Sequence, residues 1–260
     1  MTQSLALSGP VWRSRALFAL GLSALISVVA AREAHALVEG PAVPRVVSLG
    51  GICIKCDLDT RNFTGARFMG AHFQQASLVG SCLKGASFAG SNFSGADFSH
   101  ADLRGAVMLG AIFQGADFSG AVMTGLQSTG SSFANADLEG ARLDNSAFQA
   151  TDFRRVNANG AQFDGARLLG AILADGDFEG ASFRDAELFG AILTGGHFGR
   201  ADFKGAHMRG AMIGGADLSD AINLTREQLS QSCADRATRL PAGIPAHLCS
   251  APVVVIRRGP

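Results

Sequence analysis

Tyrosine is absent from this chain of 260 residues, tryptophan occurs once, and 22 lysines and arginines balance 22 aspartates and glutamates. A formal charge of zero excludes the electrostatic footprint of a nucleic-acid binder, and no run of like charge forms an acidic or basic arm. There is no phosphate-binding loop, no nucleophile motif and no cofactor fingerprint, so neither a cofactor nor catalysis is expected. His72, His100, His197, His207 and His247 are scattered, whereas a zinc site needs convergent ligands, so no metal is expected. Only one apolar run is long, Ala16 to Ala31, and about 16 residues is short of the ~20 that span a bilayer.

The aromatic residues that are present keep one register. From Cys56 to Asp220 a large apolar residue recurs at every fifth position, from Leu58, Phe63, Phe68 and Phe73 to Met208, Ile213 and Leu218. Of these 33 centres, 16 are Phe, 11 Leu, 3 Met and 1 Ile, which leaves Ser128 and Ala158 as the small exceptions. Two residues before each centre 22 of 33 are Ala and 4 are Ser; two residues after it 22 are Gly. A period of five matches neither the helix at 3.6 nor the strand at 2.0, and points to a repeat architecture that grows in one dimension.

Units such as Ala96-Asp97-Phe98-Ser99-His100 and Ala101-Asp102-Leu103-Arg104-Gly105 resemble the A(D/N)Lxx motif of the pentapeptide-repeat family over about two thirds of the chain. The resemblance implies an all-β, right-handed quadrilateral β-helix with four pentapeptides per coil. Centres and small residues point inward and the other three positions outward. The units then make about eight coils, and at ~4.8 Å per stacked strand the rod is ~40 Å long.

A coil of 20 residues stacks Phe73, Phe93, Phe113, Phe133 and Phe153 on one face, each burial contributing ~1.5–3 kcal/mol. Leu126 beside Ser128 and Val156 beside Ala158 trade large for small and conserve core volume. Arg61 occupies an inward position without such compensation and marks an irregular first coil. The aspartates at 97, 102, 117, 137, 152, 177, 202 and 217 precede centres, where the turns need small polar groups that bond to backbone. Carboxylate pairs for acid–base chemistry cannot be told apart from that background.

The chain divides at the edges of the array. Residues 1–36 carry Arg13 and Arg15, the apolar run and Ala34-His35-Ala36, the layout of a secretory signal peptide. Export to the periplasm or beyond is therefore expected, with no membrane span left after cleavage and an uncleaved anchor as the alternative. Residues 37–56 are a leader that caps the first coil of the 57–221 array; 222–260 form a capping helix and tail. Thr225 is placed as N-cap with Gln228 completing a capping box, and Leu224 is placed to staple onto Leu229. Cys233 and Cys249 close a 17-residue segment if paired, worth ~3 kcal/mol in the loop-entropy model. Cys53-Ile54-Lys55-Cys56 has the spacing of a redox motif without the βαβ context, and is read as part of the cap, free or disulfide-bonded. Cys82 points outward without an evident partner.

One outward feature rises above the repeat background. In the geometry the family resemblance implies, the blocks at 108–113, 168–173, 188–193 and 208–213 place Leu109 and Ile112, Leu169 and Ile172, Phe189 and Ile192, and Arg209 and Met212 outward on one corner. An apolar ridge of that kind marks a contact surface, and the occupant is either a protein partner, a second copy, or the chain's own Val253 to Ile256. The leading functional reading is a non-catalytic exported scaffold that makes protein contacts. The family resemblance also offers a DNA-mimicking, topoisomerase-binding role, but Arg142, Arg154, Arg155, Arg167, Arg184 and Arg200 interrupt the acids. A thiol redox role of Cys53 and Cys56 is the third reading.

Overall fold

A computed structural model of the chain describes residues 51–245 and 247–249. The signal segment, the leader before Gly51 and the apolar stretch Val253 to Ile256 lie outside the described residues. The chain winds as a four-sided β-helix in which each residue before a centre pairs in parallel with the residue 20 further on. One such ladder reads Ile52, His72, Asn92, Ile112, Ser132, Asp152, Ile172, Ile192, Met212. Among the described residues, pairing widens to full strands on one face, at β1 (Val107–Leu109), β2 (Gln127–Thr129) and β3 (Ala147–Gln149), joined β1–β2–β3 in parallel.

The sequence period follows from where the five backbone N–H groups of a unit find acceptors. In the unit centred on Phe93, the Phe93 N–H donates to the Ile112 carbonyl at 2.7 Å and Gly95 to Gln114 at 2.9 Å, both one coil ahead. The Asn92 N–H donates back to Ala71 at 2.8 Å, and the N–H of Ala96, opening the next unit, closes the corner on the Phe93 carbonyl at 3.0 Å. The N–H one residue after the centre is left over. A side chain two residues earlier takes it: Ser99 donates to Asp97 Oδ1 at 2.9 Å, Ser119 to Asp117 at 2.8 Å and Glu139 to Asp137 at 2.9 Å. That bond gives the repeat its Asp and Asn, in line with a backbone-bonding role for these carboxylates. The residue two after the centre turns the corner in the left-handed region, as at Gly125 with φ +68°, which is why glycine dominates there. Ala150 accepts the same conformation at φ +52°.

Inside, the rings of Phe73, Phe93, Phe113, Phe133 and Phe153 stack at 5.1, 5.8, 5.1 and 5.2 Å between successive centroids. The large-for-small exchanges are packing variants: Leu126, Ser128, Val156 and Ala158 are all buried. Where the small residue is glycine, even a methyl is too much, because a Cβ on Gly196 would sit 2.7 Å from the Phe198 ring. Serines at the small position bond across coils. Ser91 Oγ donates to the Phe68 carbonyl and accepts the Ala71 N–H at 3.1 Å, whereas the buried Ser81 Oγ has no partner among the described residues. Arg61 is partly buried at its inward register position.

At the far end the ladder runs past residue 221. Ile222 pairs with Asp202, Cys233 with Met212 and Arg239 with Asp217, the offset growing from 20 to 21 and then 22 residues. The extra residues accommodate the helix α1 (Arg226–Ser230), capped by Thr225 with the capping box to Gln228 formed in both directions. Gln228 Nε2 also donates to the carbonyls of Phe203 and Ala206 at 2.7 and 2.9 Å, satisfying acceptors that no further coil covers. Leu229 is buried, and Leu224 packs against the same core. At the near end Ile52 already stands on the ladder and Cys53 is disulfide-bonded to Cys56, so this pair belongs to the first rung.

Candidate apolar contact surface

The corner between the β1–β2–β3 face and the face of the Phe73 stack carries two outward columns. The first runs Leu109, Thr129, Gln149, then Leu169, Phe189 and Arg209, held by β1–β2–β3 and by the Gly170 and Gly190 N–H groups donating to the Phe189 and Arg209 carbonyls at 3.0 Å. The second runs Ile112, Ser132, Asp152, Ile172, Ile192, Met212, with Cys233 as its next rung. The structure therefore brings Leu169, Ile172, Phe189, Ile192 and Met212 onto one continuous patch. Leu109 and Ile112 share its columns but stand two polar coils away, a second and smaller patch.

Leu109, Ile112, Leu169 and Met212 are 47, 42, 49 and 46 % exposed, so nothing among the described residues covers them. Ile172, Phe189 and Ile192 are half-buried by their neighbours. Phe189 lies parallel to the His207 ring with centroids 5.8 Å apart. Together they wall a cleft of about 380 Å³ between the last coil and α1, whose lining includes Arg209, Glu227 and Gln231. Sequence spacing could not show this cleft, since it depends on where α1 folds back.

The turns of the ridge go without a side-chain cap, as does the turn after Val122, whose Thr124 N–H has no acceptor among the described residues. Ile172, Ile192 and Met212 occupy the position where Asp or Asn elsewhere accepts the leftover turn N–H, and the N–H groups of Ala174, Thr194 and Gly214 have no acceptor among the described residues. Each forgoes a bond worth ~1 kcal/mol. An exposed or half-exposed apolar side chain does not repay that within the fold.

Part of the outward charge is paired in place. Arg104 chelates Asp102 through Nε and a terminal nitrogen at 2.9 and 2.7 Å, and that bond holds the carboxyl down at about 2. Arg154 acts likewise on Asp152, lowering it, while Arg184 reaches Asp202 at 2.6 Å and Arg200 reaches Glu179 at 2.6 Å. Asp97, Asp117 and Asp137 by contrast stand on consecutive rungs of one ladder, with no ion pair among the described residues. Among the described residues no three His, Cys, Asp or Glu side chains converge as metal ligands. None of the helices there is long and apolar enough to cross a membrane. Cys233 and Cys249 are joined, and Ala234 pairs with Leu248, so the segment after α1 returns to the end of the ridge. Cys82 is a free thiol whose Sγ lies 3.3 Å from Thr64 Oγ1.

No curated protein matches the chain in sequence. Among solved structures, the chain is similar to HetL, a pentapeptide repeat protein involved in heterocyst differentiation regulation from the cyanobacterium Nostoc sp. strain PCC 7120. The likeness has 20 % identity and a TM-score of 0.61 over 83 % of this chain and 97 % of that one, and concerns the fold. A pentapeptide repeat protein from the Arabidopsis thaliana thylakoid lumen is 32 % identical over 41 % of this chain and 64 % of its own, with a TM-score of 0.25. QnrB1, a plasmid-mediated fluoroquinolone resistance protein, aligns at 18 % identity over 76 % of this chain and 91 % of its own, with a TM-score of 0.42. Family models for pentapeptide repeats match residues 52–90, 86–125, 161–196 and 181–220, with a second such model covering 129–172. With the five-residue period, the four-sided coil and these family-model matches in agreement, the chain belongs to the pentapeptide-repeat family.

Proposed function

We propose that this protein is a non-catalytic scaffold, exported through its N-terminal signal segment, that binds a protein partner through the ridge of Leu169, Ile172, Phe189, Ile192 and Met212. The observation that carries this reading is the exchange of a turn-capping Asp or Asn for an apolar side chain on three consecutive coils, where the fold itself is better served by the carboxylate. Exposed apolar patches on otherwise polar repeat surfaces mark contact sites. The rigid ladder beneath fixes their spacing, so docking orders few groups.

The test is Ile192→Asp. Aspartate is the repeat's own residue at this register and gains the Thr194 N–H, so folding stability should stay within ~1 kcal/mol of the parent. Capture of the native partner from the envelope fraction should be lost. Unchanged capture by a folded Ile192→Asp protein refutes the ridge as the contact site. A second copy is the partner if the parent sediments as a dimer and the variant as a monomer.

A further inference from the structure

Cys233 is the rung that follows Met212 on the second ridge column, so the disulfide to Cys249 fastens the chain at the foot of the apolar patch. Leu248 lies one rung below, paired with Ala234. From that layer Met212, Ile192 and Ile172 stand ~10, ~14 and ~19 Å up the column at ~4.8 Å per rung. The residues after Cys249 read Ser250-Ala251-Pro252-Val253-Val254-Val255-Ile256-Arg257-Arg258. At no more than ~3.3 Å per residue, Val253 can reach ~13 Å and Ile256 ~23 Å from Cys249, enough to reach Met212 and Ile172 respectively. Four consecutive β-branched apolar residues are thus within reach of three apolar rungs. The array over 57–221 carries 18 acidic against 12 basic residues, opposite in sign to Arg257 and Arg258, which end the apolar stretch.

We infer that Val253 to Ile256, tethered through Cys249, lies along Met212, Ile192 and Ile172 and competes with the partner for the ridge. This rests on the ridge being a docking surface and names its resident occupant. The disulfide supplies the proximity: a segment fastened at the foot of the column binds intramolecularly, at a high effective concentration, and needs little intrinsic affinity.

The thioether of Met212 reports the cover. Hydrogen peroxide transfers one oxygen to the sulfur and leaves as water, and the sulfoxide is read by mass spectrometry. In the purified protein with both disulfides formed, Met212 should oxidise several-fold more slowly than Met69, which is 58 % exposed at the opposite end of the array. The full-length Val254→Asp/Val255→Asp protein should oxidise Met212 as fast as Met69, as should a chain stopped after Cys249. Equal Met212 rates in the parent and the Val254→Asp/Val255→Asp protein overturn the inference, and so does protection that rises with protein concentration, which would make the cover a second copy. Equal rates with partner capture still sensitive to Ile192→Asp would remove the tail and leave the ridge reading standing.

Discussion

Replacing Phe113 by alanine should open the rod in its middle before either end gives way. Phe113 is fully buried and its ring meets those of Phe88, Phe93, Phe98, Phe118 and Phe133 at 5.8, 5.8, 5.8, 5.5 and 5.1 Å. Truncating a buried Phe costs ~3–5 kcal/mol, of which each favourable ring pair contributes ~0.5–1.5 kcal/mol beyond burial. Leucine, already accepted on this face at Leu173 and Leu193, should cost about half as much, since it fills much of the space and loses chiefly the ring contacts. Each coil touches only its neighbours, so the loss stays local and divides the array into two blocks that unfold separately. Chemical denaturation followed by far-ultraviolet circular dichroism, with hydrogen exchange resolved by peptide, reads both effects. Phe113→Ala should broaden the transition and speed exchange between residues 88 and 133 first. Uniformly faster exchange along the rod, or a cost no greater than that of Phe63→Ala at the first coil, would refute a core built from nearest-neighbour ring stacks.

Ser91→Ala removes the acceptor of the Ala71 N–H and should cost ~1–3 kcal/mol, whereas Ser81→Ala deletes a buried hydroxyl without a partner and should be neutral or stabilising by ~1 kcal/mol. Denaturation midpoints of the two variants decide it. Acid should destabilise the rod late. Asp102 is held at about 2 by its bond to Arg104, and Asp152 and Asp217 are also lowered, by Arg154 and Ser219 first. A carboxylate depressed in the folded state contributes fully above its unfolded value near 4 and loses that contribution as pH falls toward 2. Melting temperature should therefore hold from pH 7 to about 5 and fall below about 4, with Arg104→Gln flattening the lower limb.

The inward half of each unit was legible because it obeys one rule at 33 places, and volume exchanges such as Leu126 with Ser128 kept that rule visible. The capping box at Thr225 and Gln228 was legible for the same reason: it is a local pattern with a local cause. The continuation of the ladder through Cys233 and Arg239 was not, because the helix inserts residues and shifts the register by one and then two. The cleft beside Phe189 was equally hidden, since it arises between α1 and a coil some 20 residues earlier in the chain. The ridge itself appeared in the sequence as apolar residues out of place. Its side chains Ile172, Ile192 and Met212 stand at the register where Asp caps the turn in units such as that of Asp117.

The most direct measurement is photo-crosslinking in the native envelope fraction from a benzophenone side chain at Phe189, compared with the same probe at Ser119 on another face. A discrete adduct to one protein species from position 189, absent from 119 and abolished by Ile192→Asp, is the predicted result. The same adducts from both positions, or none from Phe189, would contradict the ridge as the working surface of the protein.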